Sequence, residues 1–122
     1  MTIVFATGVA ILGIATAIGH SVIGERKIFP PLYAGNLQGI LKSRATRDVL
    51  RVVFHMPSLT WAVLGIAVLV ARLDGGNALL SIVAAIVFGV SGISNLVALR
   101  RPHFGGLMLL VATALTLIDL TQ

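Results

Sequence analysis

A chain of 122 residues that is 57% hydrophobic and only 11% charged, with a mean hydropathy of +1.04, lacks the polar surface that a water-soluble domain of this size needs. The net charge of +5 does not signal nucleic acid, because the cations sit at the ends of apolar runs rather than on a solvated face interleaved with aromatics. With no cysteine in the chain, disulfides, thiolate metal sites, iron–sulfur ligation and cysteine nucleophiles are excluded.

What remains is the membrane class, with room for about four spans of roughly 20 residues. The expectation is an all-α fold, a four-helix transmembrane bundle forming one integral membrane domain. The first span, residues 3–24, holds no charge. Ala15-Thr16-Ala17 has the small-x-small pattern of a cleavage site, but Arg26 and Lys27 follow the apolar run and no cation precedes it. A secretory signal has the reverse arrangement, so the segment reads as a retained span.

Residues 25–47 read as a cytoplasmic linker. Pro30-Pro31 is expected to block helix continuation, and Gly35-Asn36 and Gly39 loosen the rest of the linker. Leu32, Tyr33, Leu37, Ile40 and Leu41 beside the cations suit a segment lying in the headgroup region; an ordinary solvated loop is the alternative. The second span is expected over 48–71, its helix beginning near Thr46. In that case Pro57 lies inside the helix and frees the Val53 carbonyl. If the helix begins near Met56, Pro57 is a favourable first-turn residue. The third span covers 78–99 and the fourth 104–120, the last being short for a crossing.

The cations orient these spans. Residues 25–51 carry six of the nine Lys and Arg, and Arg100-Arg101 carry two more. The loop after the second span carries only Arg72, offset by Asp74. The positive-inside rule makes the Arg-rich side cytoplasmic and both termini external (N-out/C-out). A faint echo links Ile18, Val22, Arg26, Phe29 and Leu32 to Ile93, Val97, Arg101, Phe104 and Leu107, each 75 positions later, as two duplicated hairpins would.

Helices associate in lipid through close backbone approach and interhelical hydrogen bonds, so small residues mark the buried faces. The first helix carries Ala6, Ala10, Gly13, Ala17, His20 and Gly24 at alternating steps of four and three. The second carries His55, Ser58, Ala62, Gly65 and Leu69; the third Ser81, Ala85, Phe88, Gly92 and Asn95; the fourth Gly105, Leu109, Ala112, Thr116 and Asp119. The polar members gather at one depth. His20 and Asn95 lie five residues, about 7.5 Å, inside the cytoplasmic boundary, and His55 lies about 6 Å inside. His103 sits at the boundary itself. His20 is therefore expected to face His55 and Asn95 across the bundle.

Polar side chains in a membrane are costly unless partnered and often mark function. The leading reading is a structural or interaction subunit of a membrane complex, its histidines bonded to Ser21, Ser58, Asn95 or backbone carbonyls. Beside it stand a divalent transition metal held by His20, Glu25, His55 and His103, and a haem ligated by His20 and His55 or by one of them. The third alternative is a small-solute or proton-handling transporter or channel, the imidazoles titrating near neutral pH. Glu25 otherwise forms an interfacial ion pair with its neighbouring cations. Trp61, one turn deeper, packs the core or flanks a cofactor. No hydrolytic constellation is visible, and no carboxylate is expected at mid-membrane, which argues against a pump with a central acid. Partners beyond the lipid bilayer are expected to be a second copy of the chain or other membrane subunits.

Three resemblances bear on this. In size and span number the chain is similar to small multidrug-resistance transporters, but residues 8–17 lack the carboxylate that family needs in its first helix. His20-Ser21-Val22-Ile23-Gly24-Glu25-Arg26 resembles the H-x-x-x-G-x-R haem-ligating stretch of succinate dehydrogenase membrane-anchor subunits. That likeness implies an axial role for His20; the family's final histidine is Lys27 here, and four spans replace three. Over its full length the chain looks most like small, uncharacterised bacterial four-helix membrane proteins with an H-S-x-x-G-E element, here His20, Ser21, Gly24 and Glu25. The implied location is the bacterial cytoplasmic (inner) membrane.

Overall fold

A computed structural model describes residues 2–122, and no strand occurs among them. Helix α1 (Thr2–Ile23) runs through a π-helical turn at Gly24–Ile28 into a single α-helical turn, α2 (Phe29–Leu32). A 3-10 turn at Gly39–Lys42 precedes the longest helix, α3 (Arg44–Leu73), and α4 (Ala78–Leu99) and α5 (Phe104–Leu120) follow. The four long helices form an all-α bundle. Helices α1, α3 and α4 are long and apolar enough to cross a membrane. Helix α5, with 17 residues, is about 25 Å long, a little under the roughly 30 Å of a hydrocarbon core. Large apolar side chains such as Ile11, Ile86 and Phe104 are exposed around the bundle, which water would penalise and acyl chains do not. The protein is a membrane protein.

Local chemistry sets the helix ends. Ser43 caps α3 by accepting from the Thr46 N–H at 3.3 Å, and Asn77 caps α4 by accepting from Leu80 N–H at 3.0 Å. Gly75 and Gly76 take φ of +99° and +92°, a region that L side chains avoid. They turn the chain from α3 into α4 in four residues.

Two expectations about the first linker change. Pro30 and Pro31 do not stop the helix; they occupy the first positions of α2, where the missing N–H groups cost nothing. The π turn precedes them, its last bond running from Phe29 N–H to the Gly24 carbonyl. The extra residue per turn rotates the following face by about 100°. The link between α2 and α3 shrinks accordingly to residues 33–43, with the 3-10 turn inside it. Pro57 does lie inside a long α3, so the Val53 carbonyl has no N–H partner four residues on.

The bundle closes in the order α1, α3, α4, α5. Helix α1 packs against α3 and α5, and α4 against α5, while α3 and α4 touch only lightly. Small residues make the tight seams. A Cβ at Gly13 would lie 2.5 Å from the Trp61 carbonyl oxygen, and one at Gly65 would lie 3.1 Å from the Ala10 Cα. Gly92 and Gly106 make the equivalent approach between α4 and α5. The expected stripes on α1, α4 and α5 face inward, Ala6, Ala85 and Ala112 among them. On α3 the buried line is Ser58, Trp61, Gly65 and Val68, while Ala62 and Leu69 are half-buried. The Trp61 ring accounts for that turn of the face. It fills the loose α3–α4 seam and donates from Nε1 to Ser91 Oγ at 3.1 Å.

At the far end from the histidines, Arg72 does not pair with Asp74. Its Nε and Nη2 donate to Asp119 Oδ2 at 3.1 and 2.7 Å. Asp119 is 1% exposed, so this pair ties the end of α3 to the end of α5.

Candidate functional site

Five polar side chains on α1, α3 and the π turn form one unbroken chain of hydrogen bonds. His20 Nδ1 lies 3.0 Å from Ser58 Oγ, Ser58 Oγ lies 3.0 Å from Ser21 Oγ, and Ser21 Oγ lies 2.9 Å from His55 Nδ1. His55 Nε2 then donates to Glu25 Oε1 at 2.8 Å. Arg51 closes the end with two donors on the Glu25 carboxylate, its Nε at 2.7 Å from Oε1. This is a charge-assisted fork. His20 is half-buried, whereas the Glu25 carboxylate is 38% exposed. The chain therefore runs from the bundle interior to the interface.

Aromatic packing holds the imidazoles in register. The His20 ring stacks on Phe54 at 4.2 Å between centroids, and meets Trp61 edge-on at 5.2 Å. Phe29 packs edge-on against Phe54 at 5.1 Å, and Arg51 lies over the Phe29 ring. The π turn makes this possible. The buried face of α1 steps from Gly24 to Phe29, five residues on; a continued α-helix would have offered Ile28 instead. Gly24 must be glycine here, because a Cβ would overlap the Phe54 ring.

Beside the chain lies a partly open cavity of about 590 Å³ at the same end of the bundle, lined by residues of all four long helices. His20, Thr16 and Trp61 form part of its wall, and Asn95, Arg101 and His103 form its other polar part. Its remaining lining is mostly apolar. Two atoms buried near it have no hydrogen-bond partner, Thr16 Oγ1 and His103 Nδ1.

Of the residues marked out by sequence, His20, Ser21, Glu25, His55 and Ser58 thus come together in direct contact. Asn95 does not bond to either histidine; it donates back to the Ser91 carbonyl at 2.9 Å. His103 stands across the cavity from the chain. The four expected metal ligands do not converge: among the described residues no three His, Asp or Glu side chains gather as ligands would. Both ring nitrogens of His55 are engaged, by Ser21 and Glu25, while His20 is engaged at Nδ1 alone. Two serines bridge the imidazoles. Thr16 and Arg101 were not marked out by sequence as part of this site. Thr16 stands one turn before His20, which was the available signal.

Comparison with protein-family models, with curated proteins and with solved structures returns no match.

Proposed function

We propose that this membrane protein handles protons, exchanging them between its internal cavity and the interfacial Glu25–Arg51 pair. The observation that carries the reading is the continuous series His20–Ser58–Ser21–His55–Glu25, with every link between 2.8 and 3.0 Å. A hydroxyl both donates and accepts, and a neutral imidazole donates from one nitrogen while accepting at the other. The series is therefore self-consistent in either direction.

With His55 as imidazolium, its Nδ1–H donates to Ser21, Ser21 to Ser58, Ser58 to His20 Nδ1, and His20 carries its hydrogen on Nε2. Loss of that Nε2 proton to the cavity draws one proton along each link and leaves His55 neutral, its Nδ1 now accepting from Ser21. The reverse shift takes a proton from the cavity and delivers it to His55, beside the Glu25 carboxylate, which exchanges with interfacial water. Each step moves one proton over one hydrogen bond, and no charge has to rest on a serine in either end state. The chemistry needs imidazoles because they change charge near neutral pH.

The distribution of basic residues supports setting the Glu25 end at the cytoplasmic face of a bacterial cytoplasmic membrane, with both termini outside. The chain lacks cysteine, so Lys42→Cys and Asp74→Cys provide single labelling sites. In intact cells an impermeant maleimide is expected to modify the second and spare the first. Labelling of both from one side would break the orientation.

Trp61 reports on the relay, because it is the only tryptophan and the His20 ring lies edge-on to it. Its emission is expected to fall sigmoidally with pH as His20 becomes charged. The charged and titratable groups around His20 are His55 through the serines, Glu25 and Arg51 beyond it, and Arg101 and His103 across the cavity. His55→Gln should move the midpoint by half a pH unit or more, and Ser58→Ala should abolish that dependence on residue 55. An unmoved midpoint in His55→Gln refutes the relay. A shift that survives Ser58→Ala assigns the coupling to charge acting through space, and a flat emission profile favours a purely structural subunit.

A further inference from the structure

We propose that the cavity binds an amphiphile with a single anionic head and an unbranched apolar tail, the head being a long-chain carboxylate or the phosphate of a lipid. The volume of about 590 Å³ lies within the roughly 300–1,000 Å³ of small-molecule sites. Three independent features of the wall specify the ligand.

The first is charge. Arg101 and two histidines line the cavity, and no carboxylate does. A cationic head would find no counter-charge there, and an anionic head finds one.

The second is the start of α5. His103 is its N-cap and makes no side-chain capping bond. The first intrahelical bond runs from Leu107 N–H to the His103 carbonyl. The N–H groups of Phe104, Gly105 and Gly106 therefore have no acceptor within the helix, and the helix dipole adds partial positive charge at the same point. Phe104 and Gly105 belong to the cavity wall. Such a helix start receives anionic oxygens readily.

The third is an unused hydroxyl. Thr7, Thr60, Thr113 and Thr116 each donate to the carbonyl four residues earlier, at 2.7 to 3.0 Å. Thr16 does not. It is 4% exposed, it lines the cavity, and its Oγ1 has no partner. His103 Nδ1 is likewise buried and unpartnered, and a Cβ at Gly105 would lie 3.3 Å from it and 3.9 Å from Thr16 Cγ2. Both polar atoms lie just beneath the wall rather than on it; burying a polar group without a partner costs about 1–3 kcal/mol, so each side chain gains by turning onto an acceptor-rich head in this corner. The tail then lies along Ile23, Phe54, Met108 and Leu109, which supply only apolar contact.

Binding of this amphiphile does not need an intact relay: His20 is the one relay residue in the cavity wall, and Ser58→Ala leaves it in place. It is tested with 11-bromoundecanoate, whose bromine quenches a tryptophan that it touches, on the purified full-length protein in a neutral detergent. Saturable quenching of Trp61 is expected, with 11-bromoundecanol at least tenfold weaker. Arg101→Gln and Thr16→Val should each reduce the preference for the acid at least fivefold and leave the alcohol unchanged. Ser58→Ala should retain the full preference, although it breaks the relay, so the two proposals fail separately. In nanodiscs of phosphatidylcholine, brominated lysophosphatidylglycerol, which carries one acyl chain, distinguishes the sources. Saturable quenching by that lipid but not by the acid identifies a lipid phosphate as the head, and the converse identifies the carboxylate. Equal quenching by acid and alcohol, or no saturable quenching by either the acid or the lipid, overturns the proposal.

Discussion

Asp119→Ala is expected to destabilise the purified protein by about 3 kcal/mol, measured by equilibrium unfolding in mixed micelles. Removing one partner of a buried ion pair costs about 3–5 kcal/mol, because the other charge stays behind without compensation. The lower end applies because the Arg72 side chain is 20% exposed and keeps its bond to the Asp119 backbone carbonyl. Asp119→Asn retains an acceptor and should cost about half as much. The double change Arg72→Leu with Asp119→Leu should cost less than Asp119→Ala alone, since no unpaired charge is then left. Asp74→Ala is the control: Asp74 is exposed and makes no ion pair among the described residues, so its removal should stay within about 0.5 kcal/mol. Equal unfolding midpoints for Asp119→Ala and Asp74→Ala would disprove the clasp between α3 and α5.

Gly13→Ala is expected to cost about 1–3 kcal/mol despite the better helix propensity of alanine. The added Cβ would lie 2.5 Å from the Trp61 carbonyl oxygen. A backbone oxygen has no rotamer into which to retreat, so α1 and α3 must separate. Gly19→Ala tests the same chemistry on the same helix in open space, with nothing within 4 Å of its Cβ. It should be neutral or stabilising by up to about 1 kcal/mol. The separation of α1 from α3 also lengthens the links from His20 to Ser58 and from Ser21 to His55. Gly13→Ala should therefore weaken the response of Trp61 emission to pH, and Gly19→Ala should preserve it. If both alanine variants unfold at the same point, close approach at Gly13 is not what holds the two helices together.

Much of this architecture is legible in the amino-acid order. Residues 3–24 and 78–99 are apolar without a charge, and a solvent of acyl chains leaves a helix as their stable state. Ala6, Ala85 and Ala112 could be assigned to the interior from the spacing of small residues alone, because in lipid the buried face is the one that permits close approach. The gathering of His20, Ser21, His55 and Ser58 at one level follows from counting residues inward from the charged boundary.

Other features were not legible, each for a physical reason. Pro30-Pro31 reads as a helix stop, yet the π turn before it carries the helix on; a π turn leaves no compositional mark. Arg72 and Asp119 are 47 residues apart in the chain, and their pairing depends on the heights at which α3 and α5 end. Asn95 had the right depth to meet the histidines, but the rotation of α4 turns it to its own backbone and to the cavity.

Hydropathy, charge placement and helical period are properties of one segment in one solvent, so the chain alone settles that these are apolar helices suited to a membrane, which face is buried on α1, α4 and α5, and which end is polar. The partner of each polar atom depends on rotation and height between helices, set by the Gly13–Gly65 approach and by the extra residue in the π turn. Only the assembled bundle decides that two serines stand between His20 and His55, and that a cavity opens beside them.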